Sequence, residues 1–317
     1  MKILVTGGAG FIGSHLATRL HLAGHEICLL DVQADELTFS GSFAHVVGSV
    51  LDSDLVDRLV RDSDLVCHLA GIPIPLEYVI RPKLTIEVNL HGSLNVVKSA
   101  SQYHVPLVFS STSEIYGRNS ALPWTEDSDR VLGSVSESRW CYATSKAAVE
   151  HYIHACGQVD NLDFAIVRLF NVYGPGLTDR VVSRFVDQAL RGEPLEIHGI
   201  GSQKRCFTYI SDAIDAFIKI ILAPALGGRT YNVGNPSSTN IRDLAELILE
   251  LCESSSDLMN IPYESFPSGF VDIPDRIPSI DRIRHEFGWE PLVDLRAGLL
   301  MTIQSRNWIS RDGLKSD

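Results

Sequence analysis

The segment KILVTGGAGFIGSHLATRLHLAGHEICLLD, residues 2–31, decides the fold. It opens on a short apolar run, KILVT (2–6), passes through a glycine-rich turn into a helical pattern over 11–23, and closes on a second apolar run, EICLLD (26–31). Runs that are apolar on both faces are what parallel strands covered by helices require. Gly7, Gly10 and Gly13 lie between strand and helix. The first permits a tight turn, the second lets the backbone approach a pyrophosphate, and the third lets helix and strand pack closely. Free N–H groups at the helix N-terminus then face phosphate charge. Asp31 follows Gly13 by 18 residues, where a carboxylate accepts hydrogen bonds from the adenosine ribose and repels a 2′-phosphate. No Arg follows to offset that repulsion. The segment predicts binding of NAD rather than NADP.

Working outward, the same alternation continues to about residue 170. Further strands are expected at AHVV (44–47), DLVCHLA (64–70), PLVFSS (106–111) and FAIVRLF (164–170), with helices at 83–103 and 140–156. Such alternation predicts an α/β fold built on a doubly wound parallel (Rossmann) sheet with right-handed crossovers. After residue 171 Gly and Pro cluster in YGPG (173–176) and GGRTYNVGNPSS (227–238), and helical patterns return at 240–253 and 294–305. This change marks a smaller C-terminal lobe. We expect residues 1–171 to form the dinucleotide-binding domain, with 208–235 returning to it, and 172–207 and 236–317 to form a substrate-binding lobe.

The 317 residues carry 27 Lys and Arg against 39 Asp and Glu, a net charge of −12. That balance argues against nucleic-acid or anionic-membrane partners and leaves an anionic small molecule only where a local basic pocket receives it. Cys28, Cys67, Cys141, Cys156, Cys206 and Cys252 have no C-x-x-C spacing, so they are expected to be reduced thiols, with neither a disulfide framework nor a metal site. With a strand at the very start and no long apolar run, we expect a soluble, cytoplasmic protein without a signal peptide.

Tyr142 and Lys146 stand one helical turn apart in WCYATSKAAVEH and share a face. A neighbouring ammonium favours the phenolate that a Tyr base needs. SSTSEIYG (110–117) leaves the C-terminal end of the fifth strand, the edge where doubly wound sheets bind ligands. Its Thr112 is placed to hydrogen-bond a substrate alcohol while Tyr142 takes the proton and NAD the hydride. Asp52, in GSVLDSD, is a candidate for the adenine edge or, equally, a helix N-cap.

In order along the chain, GGAGFIG, HLAG (68–71), STSEIYG, the Tyr142/Lys146 pair, FNVYGPG (170–176) and GSQKRCFTYISDAID (201–215) resemble the extended short-chain dehydrogenase/reductases that act on nucleotide sugars. The resemblance spans nearly the whole chain. It implies that Phe11, Ile12, Leu69 and Ala70 join the glycines against NAD. By the same resemblance Thr112, Tyr142 and Lys146 are the hydrogen-bonding residue, the base and the ribose-binding lysine, and Asn171 and Arg205 hold the substrate diphosphate. It also implies a homodimer paired through two helices per subunit.

Members of this family oxidise C4 of a sugar and differ in the fate of the ketone. Dehydratases typically place an Asp before the Glu of this turn, whereas this chain has Ser113 before Glu114, as some GDP-mannose dehydratases do. A uronic acid oxidised at C4 is a β-keto acid that loses CO₂ once its carboxylate is held and a proton reaches C5. Arg276 is a candidate for the first task and Glu114 with Ser113 for the second; a substrate carboxylate beside Glu114 would raise its pKa and give it a proton to donate. PIPLEYVIRP (73–82), SESRWCYATSK (136–146) and DRIPSI (275–280) are similar to bacterial UDP-glucuronate decarboxylases of the aminoarabinose pathway and to UDP-xylose synthases. That similarity makes Tyr78 a substrate-pocket residue. UDP-apiose/xylose synthases carry a Cys where this chain has Thr144. The GLTDRVVSRF segment is closer to ordinary xylose synthases and epimerases, and places Arg180 near the nucleotide or, equally, in solvent. The leading expectation is NAD-dependent decarboxylation of UDP-glucuronate to UDP-xylose or its 4-keto precursor. The 4-epimerase, the 4,6-dehydratase and a non-catalytic NAD sensor stay open as alternatives.

Overall fold

The computed structural model describes residues 1–33, 43–265 and 272–312, with side chains up to residue 306. Its centre is a seven-stranded parallel sheet. The strands are β1 (Lys2–Thr6), β2 (Glu26–Asp31), β3 (Ala44–Val47), β4 (Leu65–His68), β5 (Leu107–Thr112), β6 (Phe164–Leu169) and a last one at Arg229–Val233. In space they run Arg229–Val233, β6, β5, β4, β1, β2, β3. The return of the 208–235 segment takes the form of the edge strand Arg229–Val233, paired from Arg229 opposite Ala165 to Val233 opposite Leu169.

Alternation of side chains along each strand explains why the runs are apolar throughout. Ile3, Val5 and Leu29 enter one core, closed by α1 (Phe11–Leu22) and the helix Ile210–Ile221. Leu4, Cys28 and Leu30 enter the other, closed by the helices Ser53–Arg61, Ser93–Tyr103 and Trp140–Val159. Strand order reverses between β1 and β4, so the crevice for a ligand opens above their C-terminal ends, beside β5.

The helix expected over 83–103 is interrupted. Pro82–Ile86 runs into a wide π-type turn, Glu87–Gly92, before Ser93–Tyr103 resumes. The wide turn carries Asn89, whose amide accepts from Ile72 N–H (3.0 Å) and donates to the carbonyls of Ile72 (3.2 Å) and Thr85 (2.9 Å). Such bulges frequently accompany functional sites, and this one braces the segment that follows β4.

Beyond β6 the chain adds small sheets. Lys204–Cys206 lies between Ser238–Asn240, antiparallel, and Asp275–Arg276, parallel. Arg276 is the register partner of Arg205, which sets two guanidiniums side by side. Leu195–His198 pairs with Leu258–Ile261. Among the described residues no helix is long and apolar enough to cross a membrane. All six cysteines are free; four are buried, and Cys141 and Cys252 are half-buried.

Candidate active site

The glycine turn is built as its spacing requires. Gly7 takes φ +70°, and a Cβ there would meet the backbone nitrogen of Ala70 at 2.7 Å. A Cβ on Gly13 would lie 2.1 Å from the Gly7 carbonyl oxygen, so helix and turn touch. Gly10 is the N-cap of α1 and offers no side-chain cap, which leaves the helix N–H groups for an anion. Phe11 and Ile12 open that helix, and Leu69 and Ala70 lie across the turn, their N–H groups donating to the Thr6 carbonyl (3.0 Å) and Thr6 Oγ1 (3.3 Å). Asp31 ends β2 against the same turn, with one oxygen accepting from Ala9 N–H (3.0 Å) and the other from Gln33 N–H (3.1 Å). Asp52 is an N-cap, its Oδ1 accepting from Leu55 N–H at 3.0 Å at the start of Ser53–Arg61. The uncapped helix end and the close glycine backbone fit a dinucleotide.

β5 ends at Thr112, and Ser113–Tyr116 turns tightly beyond it. Thr112 Oγ1 accepts from Glu114 N–H at 3.2 Å and hydrogen-bonds Tyr142. Ser113 and Glu114 are both buried on this turn. The facing helix Trp140–Val159 is locked in place by Glu150, which accepts from Ser111 Oγ at 2.5 Å and from Arg168 of β6 at 2.6 Å. Tyr142 stacks on Tyr78, with ring centroids 5.2 Å apart and planes within 2°.

The phenolate that a neighbouring ammonium was expected to favour at Tyr142 is not favoured in the free protein. Burial pushes the Tyr142 hydroxyl up to about 12, with the charge of Glu114 adding to the rise; the hydrogen bond from Thr112 and the cations Arg180 and Arg139 oppose it. Lys146 is not among the main causes of that shift. Its ammonium donates to the Ser110 carbonyl at 2.9 Å and lies 4.5 Å from the Phe109 ring centre. A Cβ on Gly71 would come within 3.6 Å of its Nζ, so the lysine head sits at the floor of the crevice, where a cofactor ribose would lie. Burial lowers its pKa to about 8, against a raising effect of Glu150.

The sugar end is dominated by one carboxylate. Glu114 accepts from Arg139 at 2.5 Å and from Arg276 at 2.7 Å, and Tyr78 donates to it at 3.2 Å. Burial alone would raise its pKa, but the two guanidiniums outweigh that and hold it well below the usual carboxylate range. The raised pKa expected for Glu114 is therefore not a property of the free protein. Arg276 is likewise engaged with Glu114, while its buried Nε has no partner among the described residues. Arg139 was not singled out by the sequence, although it stands three residues before Tyr142, on the same helical face.

The remaining predicted residues flank this cluster. Asn171, at φ +37°, donates to the Cys206 carbonyl at 3.0 Å. Arg205 pairs with Asp272 at 2.6 Å, and burial beside Arg276 lowers its pKa to about 10. Arg180 is half-buried rather than solvated, donates to the Pro73 carbonyl at 2.9 Å and lies near enough to act on Tyr142.

The chain belongs to the NAD dependent epimerase/dehydratase family, which it matches over residues 3–234. It is 36% identical to UDP-N-acetyl-alpha-D-glucosaminuronate decarboxylase of Bacillus cytotoxicus, over 98% of this chain and 99% of that protein. It is 33% identical to UDP-glucuronic acid decarboxylase 1 of Danio rerio, over 96% of this chain and 72% of that protein. UDP-glucose 4-epimerase of Thermus thermophilus, solved in complex with NAD, has the same fold: TM-score 0.87, 28% identity, 97% of this chain and 99% of that one. The protein is an NAD-dependent enzyme.

The depressed Lys146 pKa has a consequence for stability. Between pH 8 and 10.5 the folded protein has lost a proton that the unfolded chain still holds, so this group makes stability rise with pH in that window. Below it the full penalty of a buried ammonium is present. Lys146→Met should therefore be more stable than the parent in urea unfolding at pH 7, with the difference shrinking toward pH 10.5. A variant less stable at pH 7 would contradict the assignment.

Proposed function

We propose that the enzyme oxidises C4 of a UDP-linked uronic acid and releases its C6 carboxyl group as CO₂. The observation that carries this reading is the charge at the sugar end: among the described residues three buried guanidiniums, Arg139, Arg276 and Arg205, meet two carboxylates, Glu114 and Asp272, a surplus of one positive charge. A neutral hexose has nothing to offer that charge, whereas a uronate carboxylate does.

The roles follow from the geometry. NAD, when bound, supplies the acceptor for the C4 hydride. Gly7, Gly10, Phe11, Ile12 and Gly13 hold its pyrophosphate end, Asp31 the adenosine ribose, Asp52 the adenine edge, and Leu69 and Ala70 line its path. Lys146 holds the nicotinamide ribose. Thr112 orients the C4 hydroxyl, and Tyr142 takes its proton, aided by Arg180 and Arg139. Asn171, Arg180 and Arg205 hold the UDP diphosphate, with Tyr78 packed in the pocket. The resulting β-keto acid loses CO₂ as its C5–C6 bond breaks and the electron pair passes through C5 onto the C4 carbonyl oxygen. Once the substrate carboxylate engages Arg276, Glu114 has lost a cation and gained an anion beside it, so its pKa rises. It then holds the proton that it gives to C5, steadied by Ser113.

The similarity to a decarboxylase of the 2-acetamido sugar favours a second reading of the substrate, UDP-N-acetylglucosaminuronate. The two differ only at C2, away from the carboxylate. On either reading residues 1–171 with 208–235 form the NAD unit, and 172–207 with 236–317 the nucleotide-sugar lobe. The stripe Thr144, Ala148, His151, Ala155 stays partly or fully exposed along one helix, which suits pairing of two subunits. Free thiols and use of NAD suit the cytoplasm. Sedimentation at twice the 34.9 kDa chain mass, and recovery in the cytoplasmic fraction of its cells, check these two points.

Pure enzyme with NAD should convert one of the two uronates into a UDP-pentose or its 4-keto form, seen by mass spectrometry as loss of CO₂. Tyr142→Phe should lower turnover by about 10²–10⁴-fold while still binding NAD. An isomeric product of unchanged mass would assign a 4-epimerase instead.

A further inference from the structure

We infer that Arg139 is a positioning residue: it keeps Glu114 in place throughout the reaction, so that Arg276 alone changes partner when a substrate carboxylate enters. This rests on the uronate reading and adds a division of labour between the two arginines.

The two guanidiniums are built differently. Arg139 precedes the helix that carries Tyr142, and its side chain is 2% exposed. It lies over the Tyr78 ring at 5.2 Å and the Trp140 ring at 5.8 Å, and donates to both Glu114 and the Tyr78 hydroxyl. Tyr78 in turn donates to the same Glu114 oxygen. Arg139, Tyr78 and Glu114 thus close a triangle in which each member binds the other two, and stacking of Tyr78 on Tyr142 ties that triangle to the base. Arg276 reaches the site from the two-residue strand Asp275–Arg276, holds Glu114 through one nitrogen, and its buried Nε finds no acceptor among the described residues. A planar guanidinium with an idle Nε is suited to a forked pairing with a second carboxylate. Arg139, already committed on both sides, is not.

The charged and titratable groups facing Glu114 are Tyr78 from helix Pro75–Ile80, Arg139 and Tyr142 from helix Trp140–Val159 and its cap, and Arg276 and Arg205 from neighbouring strands. When the substrate carboxylate takes Arg276, Arg139 is the one cation still bonded to Glu114. It sets how readily Glu114 holds its proton and where that proton points.

The test is steady-state turnover of the uronate by NAD-loaded Arg139→Met, Arg139→Lys and parent enzyme across the pH range, with NAD affinity measured alongside. Arg139→Met should lose about 100-fold in kcat, and its alkaline limb should move up by about one pH unit as Glu114 loses the last cation bonded to it. Arg139→Lys keeps the charge without the fork, so it should lose about tenfold in kcat with the limb unmoved. NAD affinity should be unchanged in both. If Arg139→Met does not fold, Arg139→Lys decides alone. Parent-like kcat and pH profile in a folded variant would overturn the inference while leaving the uronate reading intact. A parent enzyme that converts neither uronate would sink that reading, and this inference with it.

Discussion

A single buried carboxylate between two arginines holds the working parts of this enzyme together. Glu114 comes from the turn after β5, Arg139 from the cap of the helix that carries Tyr142, and Arg276 from the small C-terminal sheet. Three parts of the chain far apart in sequence therefore meet at one charge. Removing one partner of such a buried pair typically costs about 3–5 kcal/mol, because it strands the other charge away from water. Among the described residues the cluster is also unbalanced, three guanidiniums to two carboxylates once Arg205 and Asp272 are counted, and on the proposed reading that surplus receives the substrate carboxylate.

The sheet decides where this charge sits. Parallel strands bring their C-terminal ends to one edge, and the reversal of order between β1 and β4 opens the crevice there. β1 delivers the glycine turn, β2 delivers Asp31, β4 the segment carrying Leu69 and Ala70, and β5 the Thr112–Glu114 turn. The buried Arg168–Glu150–Ser111 linkage fixes the Tyr142 helix against β5 and β6, so Tyr142 faces Thr112 without help from a ligand. Small sheets after β6 supply Arg205 and Arg276 from adjacent register positions on the far wall.

What the sequence disclosed follows from the range over which each feature acts. The strands, the glycine turn, Asp31 and the Tyr142/Lys146 spacing depend on neighbours within one turn or one β-α unit, and all were readable. Asp52 carried both of its readings, and the structure displays the capping one. The direction of the Lys146 ammonium was not readable, because it depends on the Ser110 carbonyl at the end of another strand. Arg139 went unremarked for the same reason: its partners Tyr78 and Glu114 are brought to it only by tertiary folding. The low pKa of Glu114 in the free protein likewise reflects two arginines that no local pattern pairs with it. A break in the 83–103 helix escaped notice because a π-type turn leaves the apolar pattern nearly intact.

The most direct test of the account measures whether the surplus positive charge at Glu114 is there to receive a carboxylate. Tyr142→Phe enzyme loaded with NAD, whose turnover is slowed enough for binding to equilibrate first, can be titrated with UDP-glucuronate and with UDP-glucose. A charge-assisted pairing should make the uronate bind at least about tenfold more tightly, and the added substitution Arg276→Ala should remove that preference. Equal affinity for the two sugars, or a preference that survives Arg276→Ala, would contradict it.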